Sequence, residues 1–151
     1  MPLVAHAPPS PPSREACITQ AAAYYSAAGD PVSRAGLADL VRAIIRTEGG
    51  TTGKIVWNKP NKHGERSYDM GLMQINSSHL KELARLGASR EEVIQNECLN
   101  IFVGTWILKR EIASSPSLWV AIGNYNSHTH SFNVTYQQHV WARLNQLWHG
   151  E

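Results

Sequence analysis

Residues 68–77 read YDMGLMQINS. Leu72, Met73 and Ile75 are apolar, yet a single amide, Gln74, interrupts them, and Asp69 stands two positions before Gly71. An alternating strand avoids such a run, and helices rarely open on Asp-Met-Gly. The stretch therefore raises the question of what Gln74 does between Met73 and Ile75, and what Asp69 does beside it.

Around that stretch the chain is mostly helical. Upstream, a first helix is expected from about Ser13 to Ser26, before Gly29-Asp30-Pro31. Ser33 can cap a second, with Leu37, Leu40, Val41, Ile44 and Ile45 at helical spacing and Gly49-Gly50 ending it. After the second helix, KIVW and ERSY flank NKPNKHG and predict one small exposed hairpin. Downstream, SSHLKELARLG closes a helix on Gly87, and Ser89 to Glu92 form a capping box. NECLNIFVGTWILKREIASS predicts a long helix buried on most sides. Ser115-Pro116 is expected to start another, with proline at the first helical position. VTYQQHVWARLNQLWHG supplies the last, with Val140, Leu144 and Leu147 on one stripe. The fold class is α+β, mostly helical.

Length and charge narrow the possibilities. At 151 residues this is one domain, with 17% charged residues and a net charge of +2. That balance gives no strong field for polyanions, so nucleic acid is a poor partner. No apolar run approaches the roughly 20 residues of a membrane span. Residues 1–13 hold five of the eight prolines and read as a lead-in to a domain over 14–150. Within it, Ala5-His6-Ala7 has the shape of a signal-peptidase site without the preceding apolar stretch. Either the natural start lies upstream, or the match is chance.

Cys17 and Cys98 are the only cysteines. They permit either one disulfide across a loop of about 80 residues or two buried thiols. His128-Thr129-His130 lacks a third ligand at sensible spacing, so no metal site is expected. Trp106, Trp119 and Trp141 fall within helix patterns and are expected in the core, whereas Trp57 on the hairpin is a candidate for a groove.

Glu48 follows Val41, Ile44 and Ile45 on the apolar face of the second helix, in its last turn. Burial and the negative end of the helix dipole both disfavour a carboxylate there, so its pKa is expected to rise. An acid protonated near neutral pH can act as a general acid. The bland alternative is a frayed, solvated Glu.

Four motifs occur in order: Glu48 at a helix end, GLMQI at 71–75, NIFVG at 100–104 and NYN at 124–126. Together they resemble the lytic transglycosylases of the soluble (SLT) type, over about residues 16–128. Cys17-Ile18 and Cys98-Leu99-Asn100-Ile101 further resemble the specialised members that accompany secretion systems, pili and conjugation machines. Those are periplasmic and usually bridge the two cysteines. DMGLMQINS also resembles the stretch of c-type lysozymes in which the Asp is a second catalytic carboxylate.

The resemblance implies a lysozyme-like fold and cleavage of the β-1,4 bond from N-acetylmuramic acid to N-acetylglucosamine, with a 1,6-anhydromuramyl product. It makes Glu48 the catalytic acid and Asp69 the second carboxylate. Gln74, Met73, Asn76, Tyr125 and Asn126 become substrate-binding residues, with the Tyr125 hydroxyl near Glu48, and Gly71 lets the chain approach the sugar. Peptidoglycan strands are the partner, no cofactor is required, and a monomer is expected. The departures are Gly49 where Ser is usual, Asn124 for Ala, Ser127 for Gly, and a longer stretch between Glu48 and GLMQI. A muramidase-type hydrolase with the same acid is the nearest alternative. A non-catalytic wall-binding or assembly module is the alternative of another class.

Overall fold

The computed structural model describes residues 10–150. Ala5-His6-Ala7 and most of the proline-rich lead-in lie outside them. Seven α-helices are found among the described residues: α1 (Arg14–Tyr25), α2 (Arg34–Glu48), α3 (Leu80–Arg85), α4 (Arg90–Gln95), α5 (Glu97–Ser114), α6 (Leu118–Asn126) and α7 (His130–His149). A three-stranded antiparallel sheet joins them, in the order β1 (Ile55–Trp57), β2 (Tyr68–Met70), β3 (Ile75–Asn76). This is the mostly helical α+β architecture expected.

Local chemistry sets most of the boundaries. Ser13, Ser33 and Ser89 each accept a backbone N–H at the start of α1, α2 and α4, and Glu92 completes the capping box. Gly49 closes α2 in the left-handed conformation. Three boundaries differ from expectation. Ser117, not Ser115-Pro116, caps α6, because its side chain takes the Val120 N–H. The last helix begins four residues earlier, at His130. The hairpin gains a third strand, since Ile75-Asn76 pairs with Asp69 and Met70. That pairing leaves only Tyr68 of ERSY in a strand.

The core is built around α2 and α5. Val41, Ala43 and Ile44 from α2, Ile101 and Leu108 from α5, and Val140 from α7 are fully buried. The sheet is exposed at β1 but buried at Met70 and Ile75, where its turn meets α5. Trp141 corrects an expectation: it is 48% exposed and stacks edge-on between Trp119 and Trp148 on the outside of α7. Trp106 and Trp119 are half-buried against the core.

Cys17 and Cys98 form a disulfide with Cα atoms 5.3 Å apart, tying α1 to the start of α5. It spans 81 residues, so by chain entropy it should stabilise the fold by roughly 4 kcal/mol. Replacing both cysteines by serine should lower the unfolding free energy by about that amount. Denaturant titration of the oxidised protein and the variant measures it. Two free thiols in oxidised protein would contradict the pairing.

Candidate active site

Gln74 has φ of 54°, in the left-handed region. A side chain there costs on the order of 1 kcal/mol, and such strain persists only where the surroundings fix it. Two contacts do so. The Gln74 Nε2 donates to the Gly71 carbonyl at 2.9 Å, closing the turn on itself. The neighbouring Met73 N–H donates to Asn100 Oδ1 at 2.8 Å. Asn100 is 1% exposed, and its Nδ2 donates to the carbonyls of Met70 and Val93, both at 3.0 Å. The question raised by one amide among apolar residues has a structural answer: Leu72, Met73 and Ile75 enter the core, and Gln74 is turned outward into a cleft.

That cleft holds about 350 Å³. Asn58, Asp69, Gln74 and Asn76 line its sheet side, and Glu48, Ile107, Tyr125 and Asn126 its helical side. His79, Ser127 and Phe132 complete the rim. Six of the seven residues expected to act on or bind substrate are thus brought together. Met73 is not among them. Its side chain is fully buried, and its carbonyl accepts the Tyr125 hydroxyl at 2.8 Å, so it supports the wall from behind. Gly71 is also required by the fold itself: its φ is +66°, and a Cβ there would come within 2.5 Å of Asn100 Nδ2.

Glu48 is the last residue of α2 and is only partly accessible from the cleft. Burial pushes its pKa from 4.5 up to about 7; the Tyr136 hydrogen bond opposes the rise, and the charge of Asp69 adds to it. The contact to Glu48 comes from Tyr136, whose hydroxyl donates to Oε1 at 2.7 Å, and not from Tyr125. Tyr125 stacks on Tyr136 with ring centroids 6.4 Å apart. Burial and the neighbouring Glu48 hold both phenols well above their ordinary pKa, so both stay donors. Asp69, on β2, accepts a hydrogen bond from Asn76 Nδ2 on β3 at 2.9 Å. Its partner lies across the sheet, and Asp69 itself lines the cleft.

Sequence reasoning missed Tyr136, Asn100 and Asn133. Asn133 donates to Val120, Asn124 and Ser127, pinning the end of α6 that carries Tyr125 and Asn126. Asn133 and Tyr136 extend the Val140–Leu144 stripe of α7 backward at helical spacing, a signal that places them on the buried face without naming their partners. Trp57 is 52% exposed and borders the cleft only through Asn58; its ring carries the Arg66 guanidinium at 5.3 Å.

A raised acid has a stability signature. The folded state holds the Glu48 proton more tightly than the unfolded chain, so its contribution is intact below about pH 4.5 and lost as pH rises through about 7. Glu48→Gln should therefore match wild type in melting temperature near pH 4 and exceed it near pH 8. Thermal melts of both proteins across that range provide the check.

Comparison with known proteins gives the family. The family model for the Transglycosylase SLT domain matches residues 32–142, from just before α2 into α7. The Escherichia coli O157:H7 peptidoglycan-binding-like protein is 35% identical over 119 residues, covering 72% of this chain and 71% of its own length. The Salmonella typhimurium invasion protein IagB is 34% identical over 85 residues, 54% of this chain and 53% of that protein. Protein IpgF of Shigella flexneri is 33% identical over 90 residues, 60% of this chain and 57% of its own. The aligned region spans about half the length of the invasion proteins. Because the family match runs through Glu48, the turn at 68–77 and the helices that close the cleft, this chain belongs to the Transglycosylase SLT domain family.

Proposed function

We propose that the protein is a peptidoglycan lytic transglycosylase that cuts the β-1,4 bond between N-acetylmuramic acid and N-acetylglucosamine. The observation that carries this reading is Glu48: a carboxyl with a pKa of about 7, at the end of a rigid helix, lining an open cleft. Protonated, it gives its proton to the leaving glycosidic oxygen as an oxocarbenium-like transition state forms. Ionised, the same carboxylate takes the proton from the muramyl C6 hydroxyl, whose oxygen attacks C1 and closes the 1,6-anhydro ring. Asp69 faces the same cleft and would stabilise the positive charge that develops on the sugar. Gln74, with its nitrogen bonded within the turn, offers its carbonyl oxygen to a sugar N–H or O–H. Asn76 and Asn126 add polar contacts along the cleft.

A role in the periplasm, opening the wall for a secretion, pilus or conjugation machine, is part of the same proposal. It rests on the paired cysteines and on the likeness to a Salmonella invasion protein. Among the described residues, no helix is long and apolar enough to cross a membrane. Asp69 is the observation that favours a second reading, a hydrolase with two carboxylates in which water takes the place of the C6 hydroxyl.

Mass spectrometry of products released from purified sacculi separates the two. Anhydromuramyl ends are expected; reducing muramic acid ends would establish hydrolysis, and no release at all would leave a binding module. Glu48→Gln should lower release by at least about 10²-fold. Retention of wild-type turnover would remove Glu48 from the mechanism.

Tyr136 generates a separate expectation. Its hydroxyl favours the ionised form of Glu48, so Tyr136→Phe should push the acid's pKa higher still. The alkaline limb of the pH–kcat/KM profile, which follows loss of the acid's proton, should then move to higher pH while the maximal rate falls. A limb that stays in place would show that this hydrogen bond does not tune the acid.

A further inference from the structure

A second cavity, of about 330 Å³, adjoins the catalytic cleft. The two share His79 and Ile107 in their walls, so they form one continuous depression. Their chemistry differs. The cleft is lined mainly by amides and the two carboxyls, whereas the annexe presents Glu82, Arg110, Glu111 and Ser114 between α3 and the end of α5.

Its charges are held in place by their own contacts. The Arg110 guanidinium lies over the Trp106 ring at 4.6 Å, and its Nη1 donates to Glu82 Oε2 at 2.8 Å. A stacked guanidinium keeps its plane fixed and has further N–H donors to present. Glu111 Oε1 meets His128 Nε2 at 3.2 Å on the other side. Cation and carboxylates thus stand side by side at the mouth of a cleft whose remaining polar groups are suited to uncharged sugar.

We propose that this annexe is the subsite for the peptide stem carried by muramic acid, with Arg110 receiving a stem carboxylate and Glu111 a stem ammonium group. This rests on the reading of the cleft as a peptidoglycan site. A glycan strand bears its charge on those stems, at the lactyl branch of every second sugar. A stem leaving the cleft beside His79 enters the annexe directly. A free carboxylate and a free amine on one short chain match the two signs that the annexe offers. Arg110 and Glu111 thereby select stem-bearing strands over bare glycan.

Two measurements test this. The first compares kcat/KM on glycan strands with intact stems and on strands stripped of stems by an amidase, with the lactyl carboxylate that hydrolysis leaves blocked as its methyl amide. In wild type the intact strands should be preferred, and in Arg110→Ala the ratio of the two values should fall about tenfold, the worth of one charge-assisted hydrogen bond. A ratio unchanged by the substitution overturns the subsite, and because a ratio is read, a general loss of folding does not mimic the result. The second uses N-acetylmuramyl-tripeptide ending in diaminopimelate as the probe, in NMR titration of the whole protein. Shifts at His79, Glu111 and Ser114 that vanish in Arg110→Ala are expected, and their absence in wild type overturns the proposal. The titration needs no turnover. A protein that binds the probe there yet releases nothing from sacculi would retain the subsite and lose the enzyme reading.

Discussion

One buried amide holds the cleft together. Asn100, on α5, satisfies the Met73 N–H and the carbonyls of Met70 and Val93 at once, in a place with no access to water. A buried amide without partners would be costly, so the three bonds form together or the turn does not close. The Met73 carbonyl that results is the acceptor for Tyr125, Tyr125 stacks on Tyr136, and Tyr136 reaches Glu48. The acid is positioned through a continuous line of contacts running from α5 through the turn at 70–74 to α7. Hydroxyl donors that stay protonated in a dry setting make that line rigid as well as polar.

Much of this was legible in the residues, and the reasons for the rest are physical. The apolar spacing of α2 placed Glu48 on a buried face in its last turn, and the order of the four motifs led to the right family. Serine caps at 13, 33 and 89 were readable because a cap acts within three residues. Tyr136 was not, since its partner lies 88 residues away and periodicity reports a face without naming what it faces. The positive φ of Gln74 was equally hidden, because a left-handed amide is stabilised by Asn100 from across the core. Trp141 shows the opposite failure. Its place in a helix pattern suggested the core, but the ring is only partly covered, by Trp119 and Trp148.

Electrostatics in the cleft follow from the same geometry. A carboxyl at the end of a helix ordinarily hydrates and ionises, but burial, and to a lesser degree the charge of Asp69, outweigh the Tyr136 hydrogen bond, so Glu48 keeps its proton to about pH 7. Asp69 is held on the sheet by Asn76 and lines the same cleft.

The two walls of the cleft are also unequal in how deeply they are anchored. α2 and α5 are packed into the core, and the disulfide ties α5 to α1 as well, whereas β1 is a three-residue strand with Val56 and Trp57 turned to solvent. In the language of native-state hydrogen exchange, the amides of 55–57 should belong to a unit that opens locally, and those of α2 and α5 to one that opens only with the whole molecule. The acid is then mounted on the slow-exchanging wall and the opposite bank is free to yield. A thick, branched polymer can be admitted by the outer strand moving aside while the catalytic geometry stays fixed.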